Sequence, residues 1–186
     1  MMLYFITGNV NKFKEIVGVF REEGVKLQVK RLTVNKIEIQ SKDISSIAKY
    51  AAIDLSKKIN KPFFVEDAGL FIEQLKGFPG PYSHYVYDTI GVQGILKLLE
   101  NVENRKAIFV SAIALVVCDE IYMFEGKTKG SISDKPRGSK GFGFDPIFIP
   151  KGSERTFAEM DLKEKNKFSH RAKAARKMIK FILKHI

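Results

Sequence analysis

The hydrophobic pattern alternates between runs suited to strands and spacings suited to helices, and the switches mark the elements. Residues 3–6 are apolar and predict a buried strand. Phe13, Ile16, Val17 and Phe20 then recur at i, i+3, i+4 and i+7, the spacing of a helix face, and Gly24 is a stop. Residues 26–34 alternate apolar and polar, as a half-buried strand does. Residues 43–60 are helical, with Ile47, Ala51, Leu55 and Ile59 on one face and Asp43 or Ser45 as the cap. Residues 62–72 predict an apolar strand that ends in the carboxylates Glu66 and Asp67. Two prolines and two glycines make 76–85 a loop, and 89–100 forms a third helix around Ile95, Leu96 and Leu99. Residues 106–132 read as two long strands in a hairpin turning at Asp119-Glu120. Residues 133–152 follow as loop, short strand, loop. A last helix starts near Ser169, with Ala172, Ala175, Ile179, Ile182, Leu183 and Ile186 inward and Lys173, Lys177, Lys180 and Lys184 outward. Alternating strands and helices plus a long hairpin predict an α/β fold with a mixed sheet.

The 186 residues favour one domain or two closely joined lobes, with no linker or internal repeat to divide them. A single cysteine, Cys118, excludes an internal disulfide and points to a reducing, cytoplasmic setting. No apolar run reaches the ~18 residues a membrane span needs, and the first residues lack the basic start of a secretory signal. The net charge of +11 changes the picture more. Residues 163–186 alone carry nine Lys or Arg against one Glu. Such a surface attracts phosphorylated ligands, nucleic acid or anionic membrane. Nucleic acid is disfavoured because the aromatic residues do not form stacking platforms along a strand.

Four stretches could carry chemistry. In "TGNVNK" (7–12) a strand runs through a polar turn into a helix, where free N–H groups, the helix dipole and Lys12 suit a phosphate; the same residues would also make an ordinary helix cap. It is not a Walker A loop. In "VEDAGL" (65–70) the adjacent carboxylates point to opposite faces, so one can face a cleft and there bind Mg²⁺ or orient water; a solvated turn is the alternative. Glu38 could be a second metal ligand or an exposed strand residue. In "GSKGFGFDP" (138–146) glycines bring backbone close to a ligand while Phe142 or Phe144 stacks on a base; a flexible loop with core phenylalanines would read the same way. In "KNKFSHRAKAAR" (165–176) Lys165, Ser169, His170 and Arg171 gather at a helix start, where cations are unfavourable unless an anion or another acceptor is present. His84 reads as loop structure and His185 as surface. Three scattered histidines exclude a His-based metal site. A Ser or Cys nucleophile is not supported, since no G-x-S-x-G elbow occurs and Cys118 lies in an apolar run.

Together "TGNVNK", "VEDAGL", "GFGFDPIF", "TFAEM" and "EKNKFSHRAKA" resemble, in order and spacing, the inosine triphosphate pyrophosphatase family, the dITP/XTP pyrophosphatases. The resemblance runs from Phe5 to the end of the chain, and the "FGFDP…SHR" combination is its specific part. It implies a long curved mixed β-sheet flanked by helices, in two lobes with the site in the cleft, within a single domain over 1–186. It also implies a homodimer and Mg²⁺, with hydrolysis of ITP, dITP and XTP to the monophosphate and pyrophosphate.

Carried onto this sequence, the "TGNVNK" residues Thr7, Gly8, Asn9, Val10, Asn11 and Lys12 would hold the triphosphate. Glu38 and Asp67 would serve the metal, with Asp67 also the general base and Lys12 also catalytic. Phe142, Gly143, Phe144 and Asp145 would line the base and sugar pocket. Lys165, His170 and Arg171 would contact the base, with Ser169 in support. Ala68 stands where many members have serine, so only a backbone contact would survive there. The donors Lys165 and Arg171 suit the C6 oxygen of hypoxanthine and xanthine and oppose adenine's amino group. Guanine shares that oxygen, so these donors alone do not exclude it. A pyrophosphatase for modified pyrimidines would use similar cleft chemistry, but this donor pair favours a purine oxygen.

Overall fold

The computed structural model describes residues 2–185, so Ile186 lies outside the described residues. Among the described residues, seven strands form one mixed sheet in the order β2 (Gln28–Leu32), β1 (Met2–Ile6), β3 (Phe63–Ile72), β5 (Lys106–Val117), β6 (Glu120–Ile132), β7 (Phe148–Pro150), with β4 (Pro79–Gly80) paired to the far half of β3. β1 (Met2–Ile6) runs into α1 (Val10–Glu22), β2 (Gln28–Leu32) and α2 (Ile44–Ser56). β3 (Phe63–Ile72), β4 (Pro79–Gly80), α3 (Ser83–Thr89) and α4 (Gly91–Leu98) follow. β5 (Lys106–Val117) and β6 (Glu120–Ile132) make the long hairpin, and β7 (Phe148–Pro150), α5 (Leu162–Phe168) and α6 (His170–His185) complete the chain. No described helix is long and apolar enough to cross a membrane.

Packing explains the order. β1 is parallel to both β2 and β3, while β3, β5, β6 and β7 are antiparallel neighbours. One face of β1, β3 and β5 packs under α1 and α6 through Leu3, Phe5, Phe64, Ile113 and Leu115. Phe5 stacks on Phe64 with ring centroids 4.5 Å apart. The other face packs under α2 through Phe63, Val65, Ala112 and Ala114. A third core, with Leu70, Ile72, Phe109 and Phe144, lies toward α3 and α4. Gly126 is where α6 meets β6. A Cβ there would lie 2.0 Å from the carbonyl oxygen of His170 and 2.6 Å from the backbone nitrogen of Ala174. Only a bare α-carbon permits that approach, and it fixes the first turn of α6 against the sheet.

Several expectations change in detail. β3 does not end at Glu66 and Asp67 but runs on to Ile72, because β5 supplies a ladder partner for every residue of it. Residues 76–85 are not wholly loop, since they contain β4 and the start of α3, and the expected 89–100 helix is α4 after a break at Ile90. The hairpin turns at Cys118 and Asp119, both at positive φ (50° and 63°), and Cys118 is exposed there. Glu38 is not in a strand, because β2 stops at Leu32 and an irregular segment follows. Lys165 sits in its own short helix, α5. Leu183 is 68% exposed rather than inward, because the inner face of α6 runs through Met178, Ile179 and Ile182.

Candidate active site

The gap in the sheet makes the site. β1 pairs with β3 only at Phe63 and Phe64, and β4 pairs with β3 only at Leu70 and Phe71. Between them, that edge of β3 has no strand partner among the described residues. The gap lies at the carboxyl end of β1, where β2 and β3 leave on opposite sides. Open α/β sheets bind ligands at such switch points. A cavity of about 340 Å³ opens there.

Twelve of the sequence-predicted residues line this cavity: Asn9, Asn11, Lys12, Glu38, Asp67, Ala68, Phe142, Gly143, Phe144, Asp145, His170 and Arg171. The other five do not line it. Thr7 accepts a hydrogen bond from Asn9 N–H at 3.0 Å, and Gly8 and Val10 are exposed on the same turn. Ser169 accepts from Ala172 N–H at 3.3 Å, as a cap of α6. Lys165 is buried behind Asp145. A larger trough of about 800 Å³ on the sheet, by Phe71, Lys106 and Lys129, contains none of these residues.

The "TGN" turn does form a helix cap. Asn9 Oδ1 accepts from the N–H groups of Asn11 and Lys12 at 2.9 and 3.0 Å. The cap starts α1 so that the Lys12 side chain enters the gap. Its Nζ lies 2.9 Å from Glu66 Oε2 and 4.0 Å from Asp67 Oδ1. Burial raises the pKa of Asp67, and the charges of Glu66 and Glu38 add to that against the pull of Lys12 and Lys36. Burial would also raise Glu66, but Arg171 and Lys12 outweigh it and hold that carboxyl well below the usual range. Glu38 is 60% exposed at its side chain and pairs with Lys36 at 2.8 Å. Burial would raise its pKa, but Lys36 overrides that and lowers it.

At the other end the "GFGFD" loop wraps around one carboxylate. Asp145 Oδ2 accepts from Phe142 N–H at 2.8 Å and from Lys165 Nζ at 2.6 Å. Gly141, at φ +75°, leaves the room, since a Cβ there would meet that oxygen at 2.1 Å. The His170 ring is stacked flat on Phe109, centroids 4.5 Å apart and planes 7° apart. Its burial and the neighbouring Arg171 depress its pKa well below the usual 6.5, so the ring is neutral. His170 Nδ1 is buried with no hydrogen-bond partner among the described residues.

The acceptors demanded by the basic cluster at 165–171 are protein carboxylates. Arg171 donates from Nε to Glu66 Oε1 at 3.0 Å and from Nη1 to Glu15 Oε2 at 2.5 Å. Lys165 donates to Glu15 Oε1 and Asp145 Oδ2, each at 2.6 Å. The sequence reading missed Glu15 because it placed the helix face at Phe13, Ile16, Val17 and Phe20. The buried face is Glu15, Ile16, Val19 and Phe20, one step round. A cation cluster in want of an acceptor was the available signal. Ser83, His84, Tyr87, Asp88 and Phe109 also line the cavity unforeseen. His84 is helical, not loop, and pairs with Asp88 at 3.0 Å.

The sequence model of the Ham1 family matches residues 3–181. A relative from Hyperthermus butylicus named dITP/XTP pyrophosphatase is 50% identical over 181 residues, covering 97% of this chain and 94% of its own. One from Thermococcus kodakarensis with the same name is 49% identical, and the match covers the whole of both chains. The solved HAM1 protein from Coxiella burnetii superposes with a TM-score of 0.85 at 29% identity, covering 99% of each chain.

Proposed function

The chain belongs to the Ham1 family, and on that footing we infer that it hydrolyses ITP, dITP and XTP to the nucleoside monophosphate and pyrophosphate, clearing altered purines from the nucleotide pool. The observation that carries this reading is the make-up of the cavity. Lys12, Asp67 and Glu38 share it with Phe142, Phe144, His170 and Arg171, which gives one cleft a phosphate end and a base end.

Cleavage between the α and β phosphates needs water in line with the leaving pyrophosphate, so the protein mainly positions groups and neutralises charge. Asp67 is the group to orient that water and take its proton. Burial lifts its pKa toward the range in which a carboxylate accepts protons efficiently. Lys12 meets the phosphate chain, with Asn9 and Asn11 beside it. Glu38 and Asp67 would hold Mg²⁺. The fit rests on Asp67, a partly buried carboxylate facing the cavity beside the negative charges of Glu66 and Glu38, whose ion pair to Lys12 is a loose one at 4.0 Å. No cluster of three or more potential ligands occurs among the described residues. Two carboxylates in an open cleft suit a hard ion that keeps several waters and shares the substrate's oxygens. When bound, the ion would neutralise phosphate charge.

At the base end, Arg171 commits two of its five N–H groups to Glu66 and Glu15, and the rest remain for an acceptor oxygen at purine C6. Adenine presents a donor there, and an unpaired buried donor costs about 1–3 kcal/mol. The partnerless His170 Nδ1 is a further polar group that a purine ring edge would satisfy. Lys165 acts on the base through Asp145 in this arrangement. We also propose that the chain is one domain of two lobes that pairs as a homodimer. A cytoplasmic setting is supported by its lone, exposed cysteine. The test is pyrophosphate release from ITP, XTP, ATP and GTP, with Mg²⁺ and with a chelator. Metal-dependent release that favours ITP and XTP is expected; equal rates on all four, or no pyrophosphate, overturns the reading.

A further inference from the structure

Six side chains from five elements form an unbroken line of alternating charge beside the cavity. Lys12 meets Glu66 at 2.9 Å, and Glu66 meets Arg171 at 3.0 Å. Arg171 then meets Glu15 at 2.5 Å, and Lys165 closes on both Glu15 and Asp145 at 2.6 Å. Three positive and three negative groups cancel. Lys12, Arg171 and Asp145 line the cavity, while Glu66, Glu15 and Lys165 sit behind them.

Glu66 is the joint of this line. Its side chain is fully buried, on the strand residue next to Asp67, yet it does not line the cavity. Oε1 accepts from Ser111 Oγ at 2.6 Å and from Arg171 Nε. Oε2 faces Lys12 without an aligned hydrogen bond. Lys12 Nζ directs its hydrogen bond to the Glu66 backbone carbonyl instead, at a long 3.5 Å, so its hold on the carboxylate is one of charge and it can turn to a stronger anion. Arg171 is held by both charge and direction. One carboxylate thus serves the cation at the phosphate end and the cation at the base end.

We propose that Glu66 is a positioning residue that couples the two ends of the cleft, so that phosphates bound at Lys12 sharpen discrimination between bases at Arg171. This rests on the pyrophosphatase reading above. When phosphates draw Lys12 away, the charge of Glu66 falls to Arg171 and Ser111 alone. Arg171 is then held harder in the geometry that faces the cavity. Linkage makes the effect reciprocal, so a base that suits Arg171 strengthens binding at the phosphate end by the same factor. Glu15 sets the other side of Arg171 and keeps it in line with Lys165 and Asp145.

The two reaction products separate the ends. The affinities of IMP and AMP are measured by calorimetry with and without saturating inorganic pyrophosphate. The ratio of AMP to IMP dissociation constants cancels the repulsion between pyrophosphate and the nucleotide phosphate, which both nucleotides share. In the wild type this ratio is expected to rise about fivefold or more when pyrophosphate is present. In Glu66→Gln it is expected not to change, although IMP and pyrophosphate each still bind. Glu66→Asp keeps the charge but is too short to span both cations, and serves where the Gln variant does not fold; it is expected to lose most of the rise. Loss of packing alone would lower affinities without removing this dependence. A wild-type ratio indifferent to pyrophosphate, or a rise retained in both variants, overturns the coupling while leaving the pyrophosphatase reading intact. Failure of the wild type to bind IMP or pyrophosphate overturns both.

Discussion

His170 makes stability depend on pH with a sign fixed by its burial. The ring is 3% exposed, stacked on Phe109, and beside Arg171. Burial depresses its pKa well below 6.5, and the positive charges of Arg171, Lys165 and Lys12 outweigh the single opposing charge of Glu66. The folded protein therefore keeps the ring neutral while the unfolded chain takes up a proton below 6.5. The stability that neutrality contributes is complete above that pH and is lost as pH falls toward the depressed value. One proton bound only by the unfolded state costs about 1.4 kcal/mol per pH unit. Between pH 6.5 and 5.0 that amounts to about 2 kcal/mol. For a chain of this size it corresponds to a melting temperature lower by roughly 4–8 °C. Thermal unfolding followed by circular dichroism from pH 7.5 to 5.0 measures it. His170→Gln is less stable at every pH because it loses the stack, so the readout is the slope. The variant should lack the acid-side decline in that interval. Parallel wild-type and variant slopes would refute a neutral buried ring, and a wild type that gains stability toward pH 5 would mean the ring is charged when folded.

Two further substitutions test the site from other directions. Asp67→Asn should reduce turnover by about 10²–10⁴-fold, weaken ITP binding in the presence of Mg²⁺ more than in its absence, and leave the melting temperature near wild type, because the ion pair it loses is the 4.0 Å one to Lys12; single-turnover, equilibrium-binding and unfolding measurements check it, and wild-type turnover would remove Asp67 from its role. Gly126→Ala should lower stability by about 1–3 kcal/mol and raise KM for ITP, because the added methyl would sit 2.0 Å from the His170 carbonyl and push the first turn of α6 off the sheet; unfolding curves and kinetics at wild-type level would show that α6 does not depend on this contact.

The sequence carried the motif set and the order of elements, because both depend on local residue chemistry. What it hid was tertiary. "EDAG" has the composition of a turn, yet β5 pairs residue for residue along β3 and overrides that tendency. Only three-dimensional neighbours make a buried Glu66 acceptable, and these are Ser111, Arg171 and Lys12. Residues 76–85 hold enough proline and glycine to look like loop, but Ser83 Oγ accepts from Leu70 N–H at 2.8 Å and helps moor the start of α3 beside β3. That contact brings His84 and Tyr87 to the cavity, and nothing in the local sequence announces it. Glu15 escaped notice because a charged residue at the border of an apolar stripe ordinarily points to water.

The conflict posed by the cations at 165–171 has a consequence for how substrate is held. Their charge is already met by Glu15, Glu66 and Asp145 within the protein. A cleft that relied on those cations to neutralise a triphosphate would have to break buried ion pairs, and removing one partner of such a pair costs about 3–5 kcal/mol. Arg171 therefore suits directional hydrogen bonding to a neutral base, for which its uncommitted N–H groups suffice. Lys12 is the exception within the line, since its side chain is 17% exposed and its directed hydrogen bond to Glu66 is a long one, 3.5 Å to the backbone carbonyl. The phosphate charge then falls to Lys12 and to the cation that Glu38 and Asp67 would hold. That division of labour accounts for the position of the buried carboxylates behind the base end, while Asp67, which faces the cavity beside Lys12, keeps only a 4.0 Å ion pair and Glu38 pairs with Lys36 at the rim.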